Sequence, residues 1–596
     1  MRVGNYCTRS ALAQTRVACS EGGRSIVWES VDNNDALAPQ PVWPMSLLWP
    51  PGESNRASVP LSNPAVEDLA LERIVQALDV TGRHAGAIRT ILCQLCLEPA
   101  VIQYRQEVLA DLLALPELVA ELQALMPELA ALLAPGSTWP GESPLMPAVA
   151  RLAELDRYVA CLDQLKVVLD NAASIRSRGL RELQAAITTL AADRDIVALR
   201  AELPALRDLI SEASSVTIGL NLGRDLQPES ATIVEVNPFP FRGARTLLGR
   251  LLPGSAGAGP TGVGPLHHVG PVALRRDSQL YKDLQRLLES VAQPLIRALA
   301  RYRELNAGSL GALEREFAWY TGAALLIGRM QARGIEFCCP EIVPTGAPVL
   351  EVTGAVNLAL ALQLHGPQPA GHLADHIVAN DIGFDQSARL LIVTGPNRGG
   401  KTTYCRAVGQ AQVLFQSGLY IPGSAARLSP CDGVWTHFPL PETDRPGAGR
   451  LDEEVRRLRQ LFSETTTASL ILLNEPLTST SERDALPIAT GIVRALQMLG
   501  ARTVLVTHLH ELALAIPDLN EQGPDGCQIR SMIALATSDE QGMHGTFRIV
   551  PGLPTGRSYA DEIARQHGLT FEQLQGLLGE RGVLGAEVHS DAEETI

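Results

Sequence analysis

The sequence predicts a multidomain protein of the α and α/β classes, with a helical first half followed by a half built on a mainly parallel sheet. Three observations support this prediction. Apolar residues recur at helical spacing over about 68–212 and again over about 275–333. From about residue 349, short and wholly apolar segments alternate with helix-like ones, as buried parallel strands and their crossover helices do. The length of 596 residues also allows several domains.

The periodicity divides the chain into four segments. They are an irregular N-terminal segment (1–60), a helical core with a small β insertion near 214–270 (61–340), an α/β domain (341–580) and an acidic tail (581–596). Within the α/β domain, strand candidates lie at 390–394, 469–473 and 503–507, and helices are expected at about 401–416 and 485–499. A hairpin is expected around residues 541–542 and a last helix over 558–579.

Composition excludes some function classes. The net charge of −15 argues against a protein that coats nucleic acid by bulk electrostatics, although a local basic patch is compatible with it. The sequence has no bilayer-length apolar stretch free of charges and prolines and no secretory signal, so we expect no membrane association and a cytoplasmic location. Cys93 and Cys96 form a C-x-x-C pair in a helix-like stretch, which we interpret as buried thiols and not as a zinc site.

The most specific motif follows the first strand candidate. Residues 395–402 read Gly-Pro-Asn-Arg-Gly-Gly-Lys-Thr, the G-x-x-x-x-G-K-[ST] pattern of a nucleotide phosphate loop. In such loops the backbone amides surround the phosphates, the Lys reaches the β- and γ-phosphates, and the hydroxyl binds Mg²⁺. We therefore expect a site for ATP and Mg²⁺. Its predicted binding residues are Gly395, Pro396, Asn397, Arg398, Gly399, Gly400, Lys401, Thr402 and Thr403.

The other two strand candidates end in polar residues that complete the predicted site. Glu475 follows the apolar run 469–473 and is placed to orient or deprotonate the attacking water; the alternative is a solvated strand-end carboxylate. Asn474 stands where an Asp usually holds Mg²⁺ through water, and it can accept a hydrogen bond but carries no charge. Slow turnover or weak Mg²⁺ dependence is therefore a hypothesis. His508 is interpreted as a sensor of the γ-phosphate, with a strand-end cap as the alternative.

Together these residues resemble the MutS family of DNA mismatch-repair ATPases. The Pro396-Asn397 pair after the first loop glycine distinguishes that family from most other phosphate-loop groups. Further family-like segments lie at 379–382, 418–423, 475–481, 507–508, 551–552, 558–559 and 563–565. In the helical half, residues 104–112 are similar to the family's Y-R-Q-x-V-L-x-D-L motif, and the helices at 275–333 look like its lever arms.

The resemblance implies a helical core with long lever helices followed by a P-loop ATPase domain, acting as a homodimer. It also implies DNA, mismatched or branched, as the partner. Three departures suggest a reduced form: no mismatch-reading domain with a Phe-x-Glu wedge in 1–60, a short segment between the lever helices, and no C-terminal nuclease-like extension. Segment 447–454 occupies the place of the family's G-R-S-T signature, but Leu451 and Asp452 replace the hydroxyl pair. A polar loop leading into a helix explains that segment equally well.

Two other functions fit parts of the sequence. A nucleotide-gated scaffold that hydrolyses little and binds a protein partner fits the net charge, Asn474 and the missing recognition domain. The ATP-binding subunit of a transporter would carry an L-S-G-G-Q-like signature, which this sequence lacks, and the long helical N-terminal half also argues against it.

Overall fold

The computed structural model describes a defined part of the chain. The described residues are 45–52, 58–133, 145–172, 174–211, 215–222, 224, 228–237, 239, 286, 293–344, 346, 348–364, 373–384, 388–439, 450–524, 526–539, 542–554 and 568–581. The acidic tail, most of the predicted N-terminal segment and part of the β insertion therefore lie outside them. So do the first part of the predicted lever helices and residues 558–567 of the last predicted helix. Residues 568–570 are described and are not helical, because Thr570 is the N-cap of a helix that begins at Phe571, so the predicted range of that helix was too long.

The first half of the described chain is mainly helical. Its elements are β1 (Ser58–Pro60), α1 (Asn63–Asp68), α2 (Leu71–Leu78), α3 (Ala85–Leu92), β2 (Gln94–Cys96), α4 (Pro99–Ala114), α5 (Pro116–Leu133), α6 (Leu145–Asn171), α7 (Arg178–Ala191), α8 (Arg194–Ser211), β3 (Ser215–Leu222), β4 (Pro228–Asn237), α9 (Ala307–Gly311) and α10 (Leu313–Gln331). Pro99 and Pro116 begin their helices, where the missing amide costs no helical hydrogen bond. Ser62 and Ser177 cap α1 and α7 by accepting a hydrogen bond from the amide three residues on.

Two features of this half concern β structure. Within the range predicted as a β insertion, β3 and β4 form an antiparallel hairpin. The prediction of helical structure around Cys96 was wrong, because residues 94–96 form strand β2, which pairs with β1 at the end of the N-terminal segment. Such pairing between distant residues leaves no periodic signal in either segment. Burial raises the pKa of both thiols, that of Cys93 to about 11, which favours their protonated forms.

The second half contains the predicted sheet. Its elements are β5 (Phe337–Cys338), β6 (Glu341–Ile342), β7 (Leu350–Ala355), α11 (Leu358–Leu364), β8 (Asn380–Phe384), β9 (Ala388–Thr394), α12 (Lys401–Gln416), β10 (Ile421–Pro422), β11 (Ala425–Leu428), β12 (Val434–His437), α13 (Arg450–Glu464), β13 (Leu470–Asn474), α14 (Glu482–Leu499), β14 (Arg502–Val506), α15 (His510–Leu514), α16 (Ile516–Gln522), β15 (Gln528–Asp539), β16 (Gly542–Pro551) and α17 (Phe571–Glu580).

A six-stranded sheet has the strand order β12-β13-β14-β9-β15-β16, and a smaller one has the order β6-β11-β7-β8. In the larger sheet only β16 runs antiparallel, so the mainly parallel sheet, its three predicted strands and the final hairpin are confirmed. Leu391 and Val393 of β9 pack into one hydrophobic cluster, and Leu390 and Ile392 pack into the other on the opposite face. This burial on both faces explains why the strand is apolar throughout.

The carboxyl ends of β9, β13 and β14 meet at one edge of this sheet, and the phosphate loop (residues 395–402) follows β9 there. Helix α12 continues from the loop and is tied to the helical half by side-chain bonds to backbone carbonyls. Arg406 Nε donates to Asp68 O at 2.7 Å, and Gln410 Nε2 donates to Leu69 O at 2.8 Å. Among the helices that the structure describes, none is both long and apolar enough to cross a membrane.

Candidate nucleotide site

The phosphate loop has a backbone that only certain residues accept. Gly395 and Gly400 adopt φ angles of +131° and +90°, in the left-handed region that favours glycine. A Cβ on Gly395 would lie 2.8 Å from the Cβ of Ala534 on β15, so this position also lacks room for a side chain. Arg398 has a φ of +63° without being glycine. The loop thus turns tightly into the first turn of α12. The free backbone amides at the N-terminus of this helix are suited to binding an anion beside the loop.

Lys401 is the first residue of α12 and is only 4% exposed. Its Nζ donates hydrogen bonds to Gly395 O at 2.8 Å and Pro396 O at 3.0 Å. Burial lowers the pKa of this ammonium, and the nearby carboxylate of Glu475 opposes the shift. The Lys401 ammonium is therefore enclosed by the loop. A bound phosphate would offset the free-energy cost of removing this charge from water.

Thr402 and Asn474 meet across the end of the sheet. The Thr402 hydroxyl donates to Asn474 Oδ1 at 3.0 Å. Two oxygen atoms from two different elements are therefore adjacent beside the loop. Oxygen ligands are the ones that Mg²⁺ prefers, and such sites are usually completed by phosphate oxygens and water. These residues fit a Mg²⁺–phosphate complex.

Glu475 and His508 form a pair at the ends of β13 and β14. The Glu475 carboxylate lies 2.7 Å from His508 Nε2, and the Glu475 amide donates to Val506 O at 2.8 Å. The hydrogen bond from His508 is the main reason why the pKa of Glu475 lies below its ordinary value; burial opposes it, and Lys401 adds a smaller attraction. Glu475 is thus held as a carboxylate.

A cavity of about 410 Å³ joins these groups. It is lined by residues 397–403 of the loop and the first turn of α12, and by Glu475. The sequence did not single out the remaining lining residues for this role: Ala355, Asn357, Leu360, Leu364, His376, Ile377, Val378, Asn380, Tyr404, Ala407 and Phe547. The structure therefore brings Glu475 to the same cavity as the loop. Asn474 and His508 do not line the cavity themselves. Asn474 is hydrogen-bonded to Thr402, and His508 contacts Glu475, and both of these partners line it. Residues 447–449 of the signature-like segment lie outside the described residues.

Two family models match the chain. The model described as MutS2 N-terminal domain matches residues 98–333, and the model described as MutS domain V matches residues 391–570. The chain belongs to the MutS family. The second match contains the phosphate loop, Asn474, Glu475 and His508, and the first contains the motif at 104–112.

Curated MutS relatives are similar over part of their length. An Endonuclease MutS2 of Thermus thermophilus is 32% identical over 212 residues, which are 35% of this chain and 27% of that protein. A DNA mismatch repair protein MutS of Myxococcus xanthus is 32% identical over 298 residues, 49% of this chain and 30% of that protein. A Thermus thermophilus DNA mismatch repair protein MutS is 28% identical over 232 residues, 39% of this chain and 27% of that protein. The match thus spans about three tenths of these relatives or less.

This MutS-family chain also has an aromatic residue at the cavity that the sequence did not predict there. Phe547 adopts a φ of +59°, an unusual value for a bulky residue, and lies over Gly400 of the loop. Asn380 holds this bulge in β16 by donating to Phe547 O at 3.0 Å and accepting from the Ile549 amide at 2.6 Å. Asn380 lies in a segment that the sequence marked as family-like, but Phe547 is more than 140 positions from the loop and has no motif of its own.

Proposed function

We propose that this MutS-family chain binds ATP with Mg²⁺ in the cavity at the phosphate loop and hydrolyses it. The observation that carries the proposal is the shared cavity, in which the loop residues and the Glu475 carboxylate line one space of about 410 Å³. The loop and Glu475 are about 75 residues apart in the sequence, and the fold brings them to one cavity. A site that hydrolyses a nucleotide needs both an anion-binding loop and a general base.

Each residue then has a role that its contacts support. The loop amides and Lys401 hold the phosphates. The Thr402 hydroxyl would bind the metal ion, and Asn474 would hold it through a water molecule. Bound Mg²⁺ would neutralise charge on the phosphate oxygens. Glu475 takes the proton of the attacking water, and His508 keeps the Glu475 carboxylate ionised and oriented.

The apolar side of the cavity suits the nucleoside. Ile377, Val378 and Leu360 are among the residues that line it, and Phe547 offers a half-exposed ring. An aromatic ring held on a strained backbone is suited to stacking on a planar base. We propose that the base lies against Phe547 and the Ile377–Val378 side of the cavity.

The larger assembly is part of the same proposal. Residues 61–340 would form the helical core and lever domain and residues 341–580 the ATPase domain, with nucleotide switching a homodimer between states. The matched relatives are named DNA mismatch repair protein MutS and Endonuclease MutS2. We therefore propose mismatched or branched DNA as the partner.

An ATPase assay with a panel of duplex, mismatched and branched DNA tests this proposal. Wild type should hydrolyse ATP in a Mg²⁺-dependent way. Glu475→Gln should retain nucleotide binding but lose hydrolysis by about 100-fold or more, the scale of general base catalysis. Glu521→Gln, an exposed carboxylate on α16, is the matched control and should behave as wild type. Hydrolysis by Glu475→Gln at the wild-type rate would contradict the proposal.

A second candidate is a nucleotide-gated scaffold that turns over slowly and binds a protein partner. The uncharged Asn474 beside Thr402 favours it, because the metal then has one less negative charge nearby. DNA titrations at several salt concentrations separate the two candidates. Binding that weakens steeply with salt favours the DNA partner, and no binding to any of the DNA forms favours the scaffold.

A further inference from the structure

The loop that follows β13 holds Glu475 in an unusual backbone. Glu475 and Leu477 have φ angles of +50° and +67°, and neither is glycine. Residues in this region persist only where their surroundings restrain them, and they cluster at functional sites. The Glu475 amide is restrained by its bond to Val506 O. The residues after it need a second restraint.

Glu454 on α13 supplies that restraint. Its Oε1 accepts a hydrogen bond from the Leu477 amide at 2.6 Å, and its Oε2 accepts one from the Ser479 hydroxyl at 2.6 Å. His437 at the end of β12 places Nε2 3.5 Å from the same Oε1. One carboxylate therefore connects α13, β12 and the loop that begins at Glu475.

The chemistry of Glu454 suits an acceptor of two bonds. Burial alone would raise the pKa of this carboxyl, but hydrogen bonds from His437, Ser479 and the Leu477 amide together hold it below its ordinary value. An ionised carboxylate accepts at both oxygens, and bonds to a charged acceptor are the stronger ones. Leu477 itself is only 2% exposed, so its amide has no ready access to water as an alternative partner.

We propose that Glu454 is a positioning residue for hydrolysis, which fixes the strained loop so that Glu475 points into the nucleotide cavity. This inference rests on the proposed ATPase function. Glu454 does not line the cavity; it acts through Leu477 and Ser479. Its loss should therefore reduce the rate of the chemical step and leave nucleotide binding intact.

The test uses variants of the full chain. Glu454→Ala removes both acceptors. Glu454→Gln keeps the side-chain volume and one carbonyl acceptor, and Ser479→Ala removes one bond alone. Glu464→Gln, at an exposed glutamate on the same helix, is the control. The measurements are kcat and KM for ATP and the dissociation constant for ADP.

We expect Glu454→Ala to lower kcat by about tenfold or more, the scale of a misplaced catalytic group, with KM and ADP affinity within about twofold of wild type. Glu454→Gln and Ser479→Ala should give intermediate rates, and Glu464→Gln should match wild type. An unchanged kcat in Glu454→Ala, or an equal loss of ADP affinity, would overturn the proposal.

A double-mutant cycle shows whether Glu454 works through Glu475. In a Glu475→Gln background the further change Glu454→Ala should have no additional effect on the residual rate, because residues that act as a unit are not additive. The same fold-loss in both backgrounds would refute the positioning role.

A separate readout distinguishes this inference from the proposed function. If wild type hydrolyses no ATP, the proposed function fails, and the role of Glu454 is then judged by amide hydrogen exchange over residues 475–481. Faster exchange in Glu454→Ala than in Glu464→Gln supports the restraint, and equal exchange in the two variants overturns it.

Discussion

Replacing Asn474 by Asp tests the proposed binding of Mg²⁺ at this site. Asn474 Oδ1 accepts the Thr402 hydroxyl at 3.0 Å, and an Asp carboxylate can keep that bond while adding a negative charge. The substitution is nearly isosteric, so the geometry of the strand end should persist. We predict that Asn474→Asp binds Mg²⁺ together with ATP more tightly than wild type and reaches its maximal rate at lower Mg²⁺.

The magnitude follows from Coulomb's law. A carboxylate about 4 Å from a divalent cation, with one water between them, gains about 2 kcal/mol at the dielectric constant of water and about 8 kcal/mol at an effective value near 20. Asn474 is only 5% exposed, so desolvation of the new carboxylate opposes the gain. The low figure is the appropriate one, and 2 kcal/mol corresponds to about 30-fold tighter Mg²⁺ binding.

The assay is a Mg²⁺ titration of ATP binding and of ATPase rate at fixed ATP. Asn306→Asp is the control, because it makes the same chemical change at an exposed position far along the chain, before α9. Superimposable titrations of wild type and Asn474→Asp would refute the reasoning that the missing charge weakens the metal site.

Three further predictions concern the pair at the strand ends, the junction at the end of α12 and the base side of the cavity. His508→Ala removes the bond that holds the pKa of Glu475 low; that pKa should rise, so kcat should begin to fall at a higher pH as the solution is acidified. Gly418→Ala would place a Cβ 2.3 Å from the Arg105 Cβ at a φ of +85° and should cost about 3 kcal/mol of stability, measured by denaturant unfolding. Phe547→Ala should weaken ATP binding by about tenfold in a calorimetric titration.

Each of these predictions has a control and a contrary result. In His508→Ala, the acidic limb of the kcat-against-pH profile could instead stay in place or move to lower pH. Either result would show that His508 does not lower the pKa of Glu475. Gly576→Ala lies in open space on α17 and should unfold at the wild-type midpoint or above it, so equal destabilisation by both glycine changes would contradict the packing argument. Phe571→Ala, at an exposed ring on α17, should leave ATP affinity unchanged, and equal losses would exclude stacking on Phe547.

The parts of the fold that the sequence predicts well are those with a local cause. The strand candidate 390–394 is apolar throughout because both its faces are buried, and that requirement is visible in the sequence itself. Helix α12 spans residues 401–416, as expected from its periodicity and from the glycines before it. The phosphate loop is recognisable because its backbone needs glycine at fixed positions.

The parts that the sequence misses depend on residues far apart in the chain. β2 forms because β1 pairs with it, and neither segment has a period of its own. Phe547 reaches the cavity through a bulge that Asn380 holds from another strand. Glu454 lies in the segment that the sequence compared with a family signature, yet its contacts to Leu477 and Ser479 become visible only in the structure. No motif spacing encodes such contacts.

The affinity of Lys401→Ala for ATP tests the central claim most directly, namely that the loop around residue 400 and the Glu475 carboxylate act on one triphosphate. Lys166→Ala is the control, because Lys166 is a partly exposed lysine paired with Asp170 on α6. A charged hydrogen-bond donor contributes about 1.5–3 kcal/mol, so Lys401→Ala should bind ATP about 10- to 100-fold more weakly, while Lys166→Ala binds as wild type. Unchanged ATP affinity in Lys401→Ala would contradict the account.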